Sequence, residues 1–267
     1  MTPGDDSRAK AAPAAGGHMP EVRAIGFGDL AAALRAGWQD FRRAPAYGLF
    51  FGSFYAVWGV LIGAMLTVHN MAYLVFPVSI GFVLIGPFVA VGLYEVSRRL
   101  EAGRPVTFAD AIMAWRVNFS QVAGMGLVLM LFMLVWIRLA TLIFALLFTG
   151  TPASWEAFVN VVFFSLDGVP LLLVGTIVGG VLAALAFAIS AIAIPVLLDR
   201  DVGVVTAIAL SAEAVSRNWR VMIGWAGLIV LFTAGGLVTA YLGLIVTLPL
   251  IGHASWHAYR DLIGDAD

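Results

Sequence analysis

Leu210-Ser-Ala-Glu-Ala-Val-Ser-Arg-Asn-Trp219 runs, one arginine later, into Val221–Tyr259, VMIGWAGLIVLFTAGGLVTAYLGLIVTLPLIGHASWHAY, a stretch without Asp, Glu, Lys or Arg. Backbone amides in hydrocarbon must bond inside their own segment, so an apolar run of this length reads as helix. About 20 apolar residues cross a bilayer. The run is too long for one ordinary crossing and just long enough for two short ones, with a turn at Gly235-Gly236 or at Tyr241-Leu242-Gly243. A polar-faced helix ending in an aromatic thus feeds a membrane hairpin.

The same phrase occurs twice more. Asp29–Trp38 (DLAAALRAGW) precedes the charge-free run Ala46–Thr67, and Asp110–Phe119 (DAIMAWRVNF) leads into Val117–Trp155, whose only charge is Arg138. Two further charge-free runs, Met71–Tyr94 and Gly168–Leu198, complete the set. Charged residues are only 12% of the 267, and mean hydropathy is +0.97. A soluble domain carries about 25% charge, so water cannot be the solvent for this surface. The fold class expected is all-α: a polytopic membrane helix bundle of six transmembrane helices. It is read as three repeats of an amphipathic surface helix plus a transmembrane hairpin, since internal duplication is common in membrane folds.

The exits of the hairpins rhyme as well. Pro87 and Pro249 each stand eleven residues before an arginine, Arg98 and Arg260, and Pro195 leads into Asp199-Arg200. A proline here kinks the helix and frees a carbonyl for a neighbouring group. The basic residues are one-sided. Arg35, Arg42, Arg43, Arg98, Arg99, Arg104, Arg116, Arg200, Arg217, Arg220 and Arg260 flank alternate ends of the runs. The connectors Val68-His69-Asn70 and Thr149–Asp167 carry no positive charge. By the positive-inside rule both termini and the arginine-bearing segments are expected on the cytoplasmic side. Residues 1–22 read as a disordered cytoplasmic tail, rich in Ala, Gly and Pro and without a signal-peptide core, and residues 23–267 as the membrane domain.

Composition also excludes functions. The net charge of −1 gives no electrostatic case for nucleic acid, and the absence of cysteine removes disulfides, thiolate metal sites and thiol catalysis. No nucleophile elbow, phosphate loop or dinucleotide fingerprint occurs, so no catalytic residue and no cofactor is predicted. The partners expected are the lipid bilayer and other membrane proteins; the oligomeric state is left open.

A few residues stand out. Arg138 lies deep in an apolar run, where a charge faces a partner or water, or snorkels to the interface beside Trp136. It has two readings, a ligand-binding intramembrane charge or an outer-boundary anchor; Glu156 and Asp167 are its nearest acidic residues if it is buried. His253 and His257 share one helix face four residues apart, and Glu95 holds the position matching His257 in the repeat. Those three are the weak candidate metal ligands; a pair of imidazoles without a third ligand is more readily hydrogen-bonded packing or an interfacial anchor, so no metal is predicted. Trp38, Phe119 and Trp219 are membrane-surface anchors, on helices whose apolar stripe in the first copy is Leu30, Leu34, Gly37, Trp38 and Phe41. Asn118 and Asn218 occupy matching positions and are expected to bond across helix ends. Gly48-x-x-x-Gly52, Gly59-x-x-x-Gly63 and Gly175-x-x-x-Gly179 are expected to let helices approach closely.

A set of motifs spread along the chain resembles one family. It consists of Pro20-Glu-Val-Arg23, Ala33-Leu-x-x-Gly-Trp38-x-Asp-Phe41, Gly81-Phe82, Gly86-Pro-Phe88, Gly92-Leu-Tyr-Glu95-x-Ser-Arg-Arg99, Trp136-x-Arg138, Pro195-x-Leu-Leu-Asp-Arg200 and Gly252-His-Ala-x-Trp-His257-Ala-Tyr. The family is an uncharacterised one of bacterial integral inner-membrane proteins, common in proteobacteria. The resemblance spans nearly everything after the tail and implies a six-helix membrane protein without an assigned activity. Some relatives carry automatic labels as cytochrome c oxidase subunit I. A haem–copper core needs about six histidine ligands, and this chain has four histidines, so that activity is rejected. The functions expected are a non-catalytic accessory, scaffold or regulatory role in the membrane, or, alternatively, transport or lipid handling using Arg138.

Overall fold

A computed structural model describes residues 20–69, 86, 89–147 and 155–264. Among the described residues regular structure is helical, apart from one isolated antiparallel bridge between Val22 and Ile263. Three times, a helix of the polar-faced kind leads within a few residues into a long apolar one. These pairs are α1 (Phe27–Arg43) with α2 (Pro45–Val68); α4 (Phe108–Ile112), continued by a 3₁₀ turn at Ala114–Arg116, with α5 (Phe119–Leu147); and α9 (Val204–Arg217) with α10 (Trp219–Val238). After each pair come the exit helices, α3 (Val91–Glu101), α7 (Val169–Ser190) with α8 (Ala193–Asp199), and α11 (Leu244–Leu262). A short helix, α6 (Trp155–Phe164), occupies the connector before α7.

Four stretches among the described residues are long and apolar enough to cross a membrane: Pro45–Leu66, Phe119–Leu147, Leu166–Asp199 and Trp219–Val238. The second expected crossing, Met71–Tyr94, falls outside the described residues except at its end. The last run does divide in two, and its turn is the second of the two expected, at Thr239–Gly243 rather than at Gly235-Gly236. α11 is not among the four spans because its second half turns polar, with His253, His257, Arg260 and Asp261.

Local chemistry sets the helix ends. The Asp29 carboxylate accepts from the Gly26 N–H at 2.7 Å at the start of α1, while Arg42 and Arg43 stand in its last turn, each sign matching the helix dipole. Thr107 and Asp110 cap α4 reciprocally. Pro195 has no N–H for the Ala191 carbonyl, and the chain breaks there between α7 and α8. Pro249 likewise frees the Ile245 carbonyl inside α11. Gly52 of α2 lies directly against that oxygen, where any Cβ would collide with it.

The packed core sits at one end of the long helices. Leu93 and Val96 of α3, Ile194 and Leu197 of α8, and Tyr259 and Leu262 of α11 are fully buried, so the exit helices form the centre. α5 and α10 bury side chains in their first turns, through Val122, Met125 and Leu129 and through Val221, Met222 and Trp225, and α10 is buried again at Gly236, against Leu244 of α11. Farther along, Leu134, Leu142, Leu146, Val230 and Val238 face outward. A continuous apolar exterior of this kind is the surface of a multi-pass integral membrane protein, which lipid rather than water covers.

The buried residues of α1 are Leu30, Ala33, Gly37, Asp40 and Phe41, so the helix turns inward a face that shares Leu30, Gly37 and Phe41 with the apolar stripe, while Leu34 is half-buried and Trp38 is exposed. The reason is the approach to α11: a Cβ on Gly37 would lie 2.5 Å from the Ala254 nitrogen, so only glycine lets the two backbones meet there. That contact selects the inward face. Val22, placed in the tail by the boundary at residue 22, is buried against Ile263, and the Arg23 N–H donates to the Leu262 carbonyl at 2.8 Å.

Candidate functional site

The first polar cluster lies where α1, α3 and α11 meet. Asp40 is buried on α1, and His257 Nε2 stands 2.7 Å from its Oδ2. Ser97, fully buried on α3, bonds the same carboxylate, and its Oγ lies 2.8 Å from His253 Nδ1. The four groups form one hydrogen-bonded chain, from half-exposed His257 through Asp40 and Ser97 to fully buried His253. Burial alone would raise the Asp40 carboxyl. The bonds from His257 and Ser97, with the two imidazoles nearby, outweigh it and hold the group below its ordinary value. His253 Nε2 is buried without a hydrogen-bond partner among the described residues.

Glu95 does not join the histidines. It is buried on α3, where Arg98 Nε reaches one carboxylate oxygen at 2.7 Å and Arg99 Nε the other at 2.6 Å. The three candidate metal ligands are therefore directed to three different neighbours: Glu95 to arginines, His257 to Asp40, and His253 to Ser97. Among the described residues no group of three or more His, Asp or Glu side chains converges as a metal site would require.

The second cluster joins the exit ends of the three central helices. Glu101, the last residue of α3, accepts from Trp256 Nε1 at 2.8 Å and from Arg260 Nε at 3.1 Å. Arg260 also lies 3.6 Å from Asp199 at the end of α8, and Asp199 accepts from the Tyr259 hydroxyl at 2.7 Å. Arg200 donates to that hydroxyl at 3.2 Å and to the Gly264 carbonyl. Charges at helix ends thus fasten α3, α8 and α11 together.

Asn118 and Asn218 bond across helix ends. Asn118 donates to the Leu197 and Val202 carbonyls at 3.3 and 3.4 Å. Asn218 accepts from the Ile25 N–H at 2.9 Å and donates to the Arg23 carbonyl at 3.0 Å. Phe119 and Trp219 are exposed as the first residues of α5 and α10, and Trp38 is exposed on α1 five residues before its end. Arg138 is exposed on α5, with no ion pair to Glu156 or Asp167 among the described residues. Of the glycine pairs, Gly59 and Gly63 receive the Tyr241 ring, and Gly48 and Gly52 face Pro249 and Ile245 of α11. Gly179 meets Trp136, but Gly175 has nothing within 4 Å, so that pair does not form a helix contact along both residues.

Sequence reasoning passed over Asp40, Ser97 and Glu101. Asp40 carried a signal, since it continues the spacing Ala33, Gly37, Asp40 on α1; Ser97 stood only as one position of the motif Gly92–Arg99, and Glu101 carried none beyond its place between Arg99 and Arg104.

Residues 75–199 match the family described as "predicted integral membrane protein (DUF2189)". The chain is similar to an uncharacterised family of membrane proteins. The likeness to this family runs from the second apolar run to the end of α8, less of the chain than the motifs implied. It leaves out α1 and α9 to α11, and with them Asp40, His253 and His257. No curated protein and no solved structure matches the chain.

Proposed function

We propose that this chain is a six-crossing protein of the bacterial inner membrane, three surface-helix-plus-hairpin units with both termini cytoplasmic. In this reading it is a non-catalytic scaffold, accessory or regulator of other membrane components. One recurring contact supports it. At the start of α2 the Tyr47 hydroxyl donates to the Val106 carbonyl at 2.6 Å, two residues before α4 begins. Asn118, just before α5, reaches Val202, two residues before α9. Asn218, just before α10, bonds Ile25, two residues before α1.

Each unit therefore grips the entry of the next, and the third grips the first. Polar groups committed in this way hold a shape, whereas a catalytic site keeps a base, nucleophile or ligand position open to substrate. Reporter fusions at the C-terminus test the topology: a fluorescent cytoplasmic reporter should be active there and a periplasmic phosphatase inactive. Tagged purification in several mild detergents, beside a control membrane protein, tests the scaffold role. Recovery of the lone chain in every detergent would sink it. The transport reading draws on the exposure of Arg138 without an acidic partner, and abolition of uptake by Arg138→Ala in folded protein would establish it.

A further inference from the structure

Apart from Arg23, Arg35, Arg104 and Arg138, which are exposed and belong to neither, two sets of arginines differ in their partners. On the exit helices they are engaged: Arg98 and Arg99 bond Glu95, Arg260 bonds Glu101, and Arg200 bonds Tyr259. At the junctions between surface helix and long helix they are not. Arg42 and Arg43 end α1, Arg116 ends the 3₁₀ turn before α5, Arg217 ends α9, and Arg220 is the second residue of α10. All five are exposed, and none forms an ion pair with a carboxylate among the described residues.

Every junction also exposes an indole. The Arg116 guanidinium lies 5.4 Å from the centre of the Trp115 ring, and that of Arg220 lies 5.1 Å from the Trp219 ring. On α1, Trp38 and Arg42 stand four residues apart on one face, both exposed. Beside these corners the long helices begin with outward apolar side chains, such as Phe50, Phe119 and Ile223. An indole suits the level where acyl chains meet headgroups, and a guanidinium held against its face keeps N–H groups for phosphate oxygens.

We propose that the three junctions are binding sites for the headgroups of anionic phospholipids, one basic–aromatic corner per unit. This rests on the topology proposed above, which sets all three corners on the cytoplasmic face. The occupant is a lipid rather than a free anion because each corner is half apolar. It is a lipid rather than a protein because the corners recur around a closed ring of units, so only a partner that surrounds the molecule meets all three. Guanidinium forks match phosphodiester oxygens in geometry as well as in charge.

The test uses the purified full chain in neutral detergent. Its thermal midpoint is followed while phosphatidylglycerol, phosphatidylcholine or inorganic phosphate is added. Phosphatidylglycerol should raise the midpoint; the other two should not. Arg116→Gln, Arg220→Gln and the double variant R42Q/R43Q should leave the midpoint in detergent alone unchanged, because these side chains are exposed. Each charge removed should weaken the apparent affinity for phosphatidylglycerol about fivefold, the effect of one basic residue near an anionic surface. Arg220→Lys should restore part of that loss, as the charge returns without the planar fork. An unchanged phosphatidylglycerol response in a variant lacking all five arginines, an equal response to phosphatidylcholine, or full replacement by inorganic phosphate would overturn the proposal. Those results would leave the topology standing; a periplasmic C-terminus would remove the topology and the shared cytoplasmic face with it.

Discussion

The Asn218 side-chain oxygen accepts the Ile25 N–H at 2.9 Å, joining positions 193 residues apart. The same side chain donates to the Arg23 and Ala214 carbonyls at 3.0 and 3.1 Å, so one amide ties the entry segment to the join of α9 and α10. Asn218→Ala strands a backbone N–H and a backbone carbonyl in a half-buried place. A loss of about 2–3 kcal/mol is expected in thermal or denaturant unfolding of the purified protein. Asn218→Asp keeps the acceptor and removes both donated bonds, so it should fall between wild type and alanine. Equal stability of all three proteins would show that the staple does not hold this end closed.

Gly37 gives a second, purely steric expectation. A Cβ there would stand 2.5 Å from the Ala254 nitrogen and 2.8 Å from its Cα, and backbone atoms cannot swing aside as a side chain can. Gly37→Ala gains about 1 kcal/mol of helix propensity but forces α1 away from α11. A net loss of about 1–2 kcal/mol is expected. Gly28→Ala, on the same helix with nothing within 4 Å, should be neutral or slightly stabilising. If both substitutions behave alike in thermal melts, the close approach of α1 and α11 is wrong.

These two residues show which parts of the fold could be read from the chain. Helical class, the joins of polar-faced and long helices, and the bonding of Asn118 and Asn218 depend on local spacing and charge-free length, and they were legible. The inward face of α1 was not. Leu34 and Trp38 offer a more hydrophobic stripe than Ala33, Gly37 and Asp40, and hydrophobicity alone favours them. What decides the matter lies 217 residues away, where His257 supplies the partner that makes burial of Asp40 tolerable. The histidine pair was legible as one face of α11. Its two rings nonetheless meet different helices, α1 for His257 and α3 for His253, and only the packing reveals that.

Asp40 yields an expectation in pH. Its folded carboxyl titrates below the ordinary value, so the folded state binds its proton less readily than the unfolded chain. The stabilisation is therefore fully present above the unfolded value of about 4 and is lost as pH falls through the lower folded value. Asp40→Asn keeps an acceptor for His257 and Ser97 but removes the charge. It should melt below wild type at neutral pH, and the two profiles should converge in acid as pH falls below the folded value. A gap that stays constant across that range would mean that the carboxylate charge contributes nothing.

Arg138 separates the anchoring reading from the ligand-binding one. It lies about 28 Å along α5 from Phe119 at 1.5 Å per residue, close to the far side of a hydrocarbon layer about 30 Å thick. Trp136 rests against Gly179, a Cβ there falling 3.2 Å from its ring, so that side of α5 faces α7. Arg138, two residues on and about 200° around the helix, turns away from α7, and its exposure agrees. Arg138→Leu should therefore alter unfolding by no more than about 0.5 kcal/mol, the ordinary range for an exposed position. Moving the charge two turns inward to the middle of the layer, as Met130→Arg in the Arg138→Leu background, should cost about 2.5–3.5 kcal/mol in a translocon insertion assay, because snorkelling no longer reaches the headgroups. A large stability loss from Arg138→Leu alone, or equal insertion of the relocated arginine, would place the guanidinium against a partner inside the bundle and favour substrate binding over anchoring.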